Sequence, residues 1–77
     1  MSKQSDAAII LRATLRIRDE YKEKHDRSKI EEEKLLLKGS IMFADGLLIE
    51  SLEISEQTYK RMTTARLMTE IRLKFGA

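Results

Sequence analysis

The stretch Leu47–Ala65, LLIESLEISEQTYKRMTTA, decides how the rest of the chain is read. Ser55 is a favoured N-cap, because its hydroxyl accepts from an orphan amide in the first turn of the helix that follows. Glu56, Gln57 and Thr58 fill that turn. A full capping box wants an acid or amide three residues after the cap, and Thr58 stands there instead. Ile54, just before the cap, can staple to Tyr59. The stretch therefore predicts a helix ending near Leu52, a tight turn at Glu53-Ile54 and a second helix from Ser55. Leu48, Ile49, Leu52, Ile54, Tyr59 and Met62 can close a small core between two crossed helices. The opposite face of the second helix offers Gln57, Thr58, Lys60, Arg61 and Thr64, types that hydrogen-bond base edges or phosphates.

ISEQTYKRM resembles the Ile-Ser-x-x-Thr-Val-Lys opening of recognition helices in LuxR-type regulators and in region 4 of sigma factors, which are helix-turn-helix DNA-binding domains. Leu52, Ile54, Ser55, Gln57, Thr58 and Lys60 carry the resemblance, which is confined to residues 47–65. It implies double-stranded DNA as partner, with Ser55, Gln57, Thr58, Lys60, Arg61, Thr64 and Arg66 at the DNA. There are departures. Glu53 holds the turn position usually given to glycine, where a positive φ strains any other residue. Ile49 replaces a small alanine at the helix crossing, and Tyr59 a small β-branched residue. Lys74-Phe75-Gly76 resembles the family's Lys-Leu-Gly ending but lies several residues late. Such domains also dimerise through a helix after the recognition helix. That fits Leu67, Met68, Ile71 and Phe75, which fall nearly opposite Tyr59, Met62 and Ala65 on one continuous helix; so short a chain cannot cover all four, and they are expected at a homodimer interface.

Seventy-seven residues allow one domain with a thin core, and such chains often complete the core by oligomerising. Hydrophobic residues make up 42% against 36% charged, enough to fold. The interior types are Leu, Ile and Met, aromatics are few and proline is absent, so the expected fold is all-α. With no cysteine there is no disulfide and no thiolate metal site, which fits a reducing compartment. No apolar run approaches the ~18 residues of a membrane span, and the N-terminus makes a poor signal peptide. A cytoplasmic protein without membrane contact is expected. Charge is uneven. Lys3, Arg12, Arg16 and Arg18 against Asp6 make residues 1–18 net +3. Lys60, Arg61, Arg66, Arg72 and Lys74 against Glu56 and Glu70 make residues 55–77 net +3, and the middle is net −4. A basic terminal helix suits phosphate contact, and equally a plain solvated face.

Four helices are expected, over residues 5–27, 28–38, 40–53 and 55–75. Ser5-Asp6 can cap the first. Within it, the alternation LRATLRI at Leu11–Ile17 also permits a strand, but Ala, Leu and Arg favour helix. Asp19–Lys34 is nearly all charged, with ion pairs at helical spacing such as Glu23 and Arg27. Ser28 to Glu31 has capping-box spacing and predicts a fresh start. Glu31-Glu32-Glu33 suits a helix's first turn; three consecutive residues fan apart and do not converge on a metal. Leu35-Leu36-Leu37 follows, with Gly39 as C-cap. Ile41–Ile49 admits a hairpin about Asp45-Gly46. The preferred reading is a helix burying Ile41, Phe43, Ala44, Leu47, Leu48 and Leu52.

No nucleophile–base–acid set, glycine-rich phosphate loop or ligand cluster appears, and the lone His25 sits in a charged run. No enzyme activity, cofactor or metal is expected. The leading expectation is a small, dimeric, sequence-specific DNA-binding protein, a transcriptional regulator of phage or plasmid type. The alternative is a dimeric helical module that binds and modulates another protein.

Overall fold

The computed structural model describes residues 5–76. It contains four helices and, among the described residues, no strand: α1 (Asp6–Arg27), α2 (Glu31–Leu52), α3 (Glu56–Arg61) and α4 (Thr64–Phe75). Leu11–Ile17 and Ile41–Ile49 are both helical, so neither the strand nor the hairpin forms.

α1 starts where Ser5 places its hydroxyl on the amide of Ala8 at 3.1 Å, with Asp6 in the first turn for the dipole. The same hydroxyl donates to the carbonyl of Phe75 and ties the start of α1 to the end of α4. α1 and α2, 22 residues each, are joined by Ser28–Ile30 and pack as an antiparallel hairpin, the most extensive contact in the molecule. The chain breaks near Ser28 as expected, but α2 begins three residues later. Ile30 is its N-cap and makes no side-chain cap bond. Ser28 instead accepts from the amide of Ile30 at 3.3 Å.

Two expected boundaries are corrected. The helix does not stop at Gly39; α2 runs through Gly39 and Gly46 without a break. Gly ends a helix by taking a left-handed conformation, and nothing after Gly39 asks for one, because Ile41–Leu52 is itself strongly helical. The last helix, by contrast, is not continuous. Met62 and Thr63 are extended, with ψ of 134° and 164°. The Thr63 hydroxyl accepts from the amide of Arg66 at 3.1 Å and caps α4 anew.

That break redirects α4. The core gathers Ala8, Leu11 and Leu15 of α1, Leu48 and Leu52 of α2, Tyr59 of α3, and Leu67 and Ile71 of α4. Ile49, Ile54, Met62, Met68 and Phe75 pack around it, partly buried. Leu67 and Ile71 are 0% exposed within the single chain. Leu67 and Ile71, expected at a dimer interface, are thus taken up by the chain's own core, and Met68 and Phe75 pack partly buried against it. On a straight helix they would oppose Tyr59; the kink turns both faces inward.

All buried residues of α1 lie at or before Arg18, and all those of α2 at or after Ala44. The molecule, 47 × 26 × 17 Å, is thus a helical core with a two-helix arm made of the end of α1 and the first half of α2.

Candidate functional site

Two features stand out from the helical scaffold: a polar network that positions α3, and an apolar groove on the α1–α2 hairpin.

The network centres on Arg18, 6% exposed. Its Nη1 donates to the Tyr59 hydroxyl at 2.8 Å, its Nε and Nη2 to one carboxylate oxygen of Asp19 at 2.9 and 2.6 Å, and its Nη2 to the Thr64 hydroxyl at 3.1 Å. Thr64 in turn donates to the other Asp19 oxygen at 2.8 Å, and Tyr59 donates to Asp45 at 2.5 Å. The guanidinium also lies 5.6 Å from the Tyr59 ring centre. Every helix thus contributes to the cluster: Arg18 and Asp19 from α1, Asp45 from α2, Tyr59 from α3 and Thr64 from α4. Among the described residues no buried side-chain polar atom lacks a partner. Burial works against the Arg18 charge, but the bonds to Tyr59 and Asp19 outweigh it, and its pKa is raised. Burial, then the bond to Asp45, push Tyr59 up to about 12 against the pull of Arg18. This network is structural: its members bond one another and fix α3 and α4 against the α1–α2 pair.

The turn before α3 takes the form read from Leu47–Ala65. Glu53 adopts a left-handed conformation, φ 55° and ψ 43°. Ser55 caps α3 by accepting from the amide of Thr58 at 3.1 Å. The structure scatters the roles of the residues expected at DNA. The hydroxyls of Ser55 and Thr58 bond each other at 2.8 Å. Thr64 is held in the Arg18 network. Lys60 pairs with Glu56 at 3.3 Å and Arg66 with Glu70 at 3.1 Å, although both cations are exposed and such pairs contribute little. Gln57 and Arg61 are exposed and point away from the core. α3 is six residues long, so the polar face is one and a half turns.

The groove was not foreseen. Phe43 and Leu47, expected inside, are 75% and 36% exposed. With Leu35, Leu36 and Ile17 they wall a cleft of about 540 Å³. Its floor is small: Thr14, Gly39, Ser40 and Ala44. No charged residue lines it, in a chain that is 36% charged. The sequence signal for it was present in α2. Leu35, Leu36, Met42, Phe43 and Leu47 lie off the side that buries Ala44, Leu48 and Leu52. Apolar side chains thus run most of the way round the helix, a pattern that belongs to a helix covered on all sides.

Among the described residues no group of three His, Cys, Asp or Glu side chains could hold a metal ion, and no helix is long and apolar enough to cross a membrane. No protein family, curated protein or solved structure matches the chain.

Proposed function

We propose that this chain is a non-enzymatic helical interaction module whose working surface is the α1–α2 groove. The observation that carries the reading is the charge-free lining between Leu35 and Leu47. Interface centres are depleted of charge and built from large apolar anchors with a polar rim. Phe43, Leu36 and Leu35 are such anchors, each 72–75% exposed. The groove suits a partner that presents an apolar helix face, read through side chains at helical spacing. Its test is a comparison of folding and binding in one variant. Leu36→Glu removes an anchor but nothing from the core, so the helical circular dichroism of the isolated fold should persist while capture of an apolar fluorescent probe or of a partner is lost. A variant that keeps its binding would place the working surface elsewhere.

A second reading is favoured by the left-handed Glu53 turn and the Ser55 cap, which begin an α3 that exposes Gln57 in its first turn and Lys60 and Arg61 in its last. We propose this as the DNA-facing surface of a helix-turn-helix if the chain binds double-stranded DNA. Lys60→Ala and Arg61→Ala should then weaken binding to all sequences and lower the salt slope by about one each, whereas Gln57→Ala should relax preference at one base pair. Absence of DNA retention at about 50 mM salt, where phosphate contacts are strongest, would remove this reading.

A further inference from the structure

We infer that the occupant of the α1–α2 groove is a second copy of this chain, docked by a two-fold axis that crosses α2 near Gly39 and Ser40. The inference rests on the groove being a docking surface and adds what fills it.

A two-fold interface must be self-complementary, because one patch supplies both the protrusion and the recess. This patch has both. Phe43 and Leu36 protrude, at 75% exposure each. The recess is floored by Gly39, over which no atom lies within 4 Å of a notional Cβ. Placing the axis between residues 39 and 40 with the two α2 helices antiparallel sets Leu36 opposite Phe43 of the copy, and Phe43 opposite its Leu36. Each ring then enters the recess beside the other chain's Gly39.

Charge selects the antiparallel arrangement. Glu31, Glu32 and Glu33 stand exposed at the start of α2. Parallel packing would bring two such clusters together, and like charges across an interface cost affinity. Antiparallel packing puts them at opposite ends, opposes the helix dipoles, and brings Lys29 across from Glu50 of the copy. The uncharged centre asks for no opposite charge from a partner and meets none in a copy.

The exposed apolar side chains are the ones a copy would cover: Ile17, Leu35, Leu36, Phe43 and Leu47, which wall the groove, each leave between 36% and 75% of their surface uncovered. Pairing also gives the arm the core it lacks, since no residue from Glu31 to Phe43 is buried in the single chain. The product is a four-helix bundle from two hairpins, with α3 and α4 on the outside.

Sedimentation equilibrium across micromolar concentrations, with an apolar fluorescent dye titrated into the same samples, tests this in the whole protein. The wild type should have twice the 9.0 kDa chain mass and take up dye only at concentrations low enough to dissociate it. Phe43→Glu and Gly39→Leu should each halve the mass. The first puts a charge into the recess and the second fills it, and both positions lie outside the single chain's core. Both variants should keep their helical circular dichroism, as Leu36→Glu should, and dissociation that comes only with loss of the fold overturns the inference. A wild type that stays monomeric and binds dye strongly overturns the second copy but leaves the docking surface standing. A monomer that binds no dye removes both. A dimer that survives both substitutions overturns the inference by placing the contact elsewhere.

Discussion

Arg18 is the residue on which the arrangement of α3 depends. Removing one partner of a buried, hydrogen-bonded charge leaves the rest uncompensated and costs about 3 kcal/mol. Arg18→Ala should therefore lower the thermal midpoint by more than 10 °C, at about 4–8 °C per kcal/mol for a chain this size. Arg18→Lys should recover only part of it, because an ammonium cannot reach Tyr59, Asp19 and Thr64 together as the planar fork does. Tyr59 gives the network a pH signature. A phenol whose pKa rises from 10.0 to about 12 on folding contributes stability that is complete below pH 10 and is lost as the pH climbs toward 12. Chemical denaturation across that range should show the loss. Tyr59→Phe should abolish its tyrosine component and cost about 1 kcal/mol at neutral pH through the missing hydrogen bonds. None of this was legible locally. Arg18 looks like Arg12 and Arg16 in the sequence, and its partners Tyr59 and Thr64 lie 41 and 46 residues away. The Ser55 cap was legible, because a cap is written within four residues.

At the scale of elements, the turns hold the testable strain. Glu53 holds a left-handed conformation that costs a non-glycine residue about 1–2 kcal/mol. The turn lets the amides of Glu53 and Ile54 bond the carbonyls of Glu50 and Ile49, which a glycine would keep, and the Glu53 side chain adds only a contact to Lys74 at 3.6 Å. Glu53→Gly should raise stability by about 1 kcal/mol, measured by urea denaturation. The departure from glycine at this position was visible in the sequence, and so was the positive φ it required. The α3–α4 break was not visible. Met62-Thr63 contains no proline or glycine, and an amphipathic pattern read straight through it placed Leu67 and Ile71 on an outer face. Tertiary packing decides here: bending the chain buries both faces at once. Thr63→Ala should remove the α4 cap and cost about 1 kcal/mol. Gly39 misled in the opposite sense, since a glycine flanked by good helix formers only lowers helix stability.

For the whole molecule, an all-helical fold followed from composition, but the position of the working face did not. Phe43 and Leu47 were read as core because apolar residues at helical spacing normally are. With only α1 and α4 to cover it, α2 has more apolar surface than one chain can bury. The excess lies on Leu35, Leu36, Phe43 and Leu47, none of which belongs to the buried core, so association and folding can be altered separately. The most direct measurement uses the absence of native cysteine. In the proposed dimer, Ser40 lies beside the two-fold axis, opposite Gly39 of the copy, so the two residue-40 positions sit one residue out of register across it and close enough for a disulfide. Ser40→Cys should oxidise rapidly and almost completely to a covalent dimer on a non-reducing gel, while Thr69→Cys, exposed on α4, should remain largely monomeric. Equal and slow cross-linking at the two positions would contradict a dimer built on the α1–α2 face.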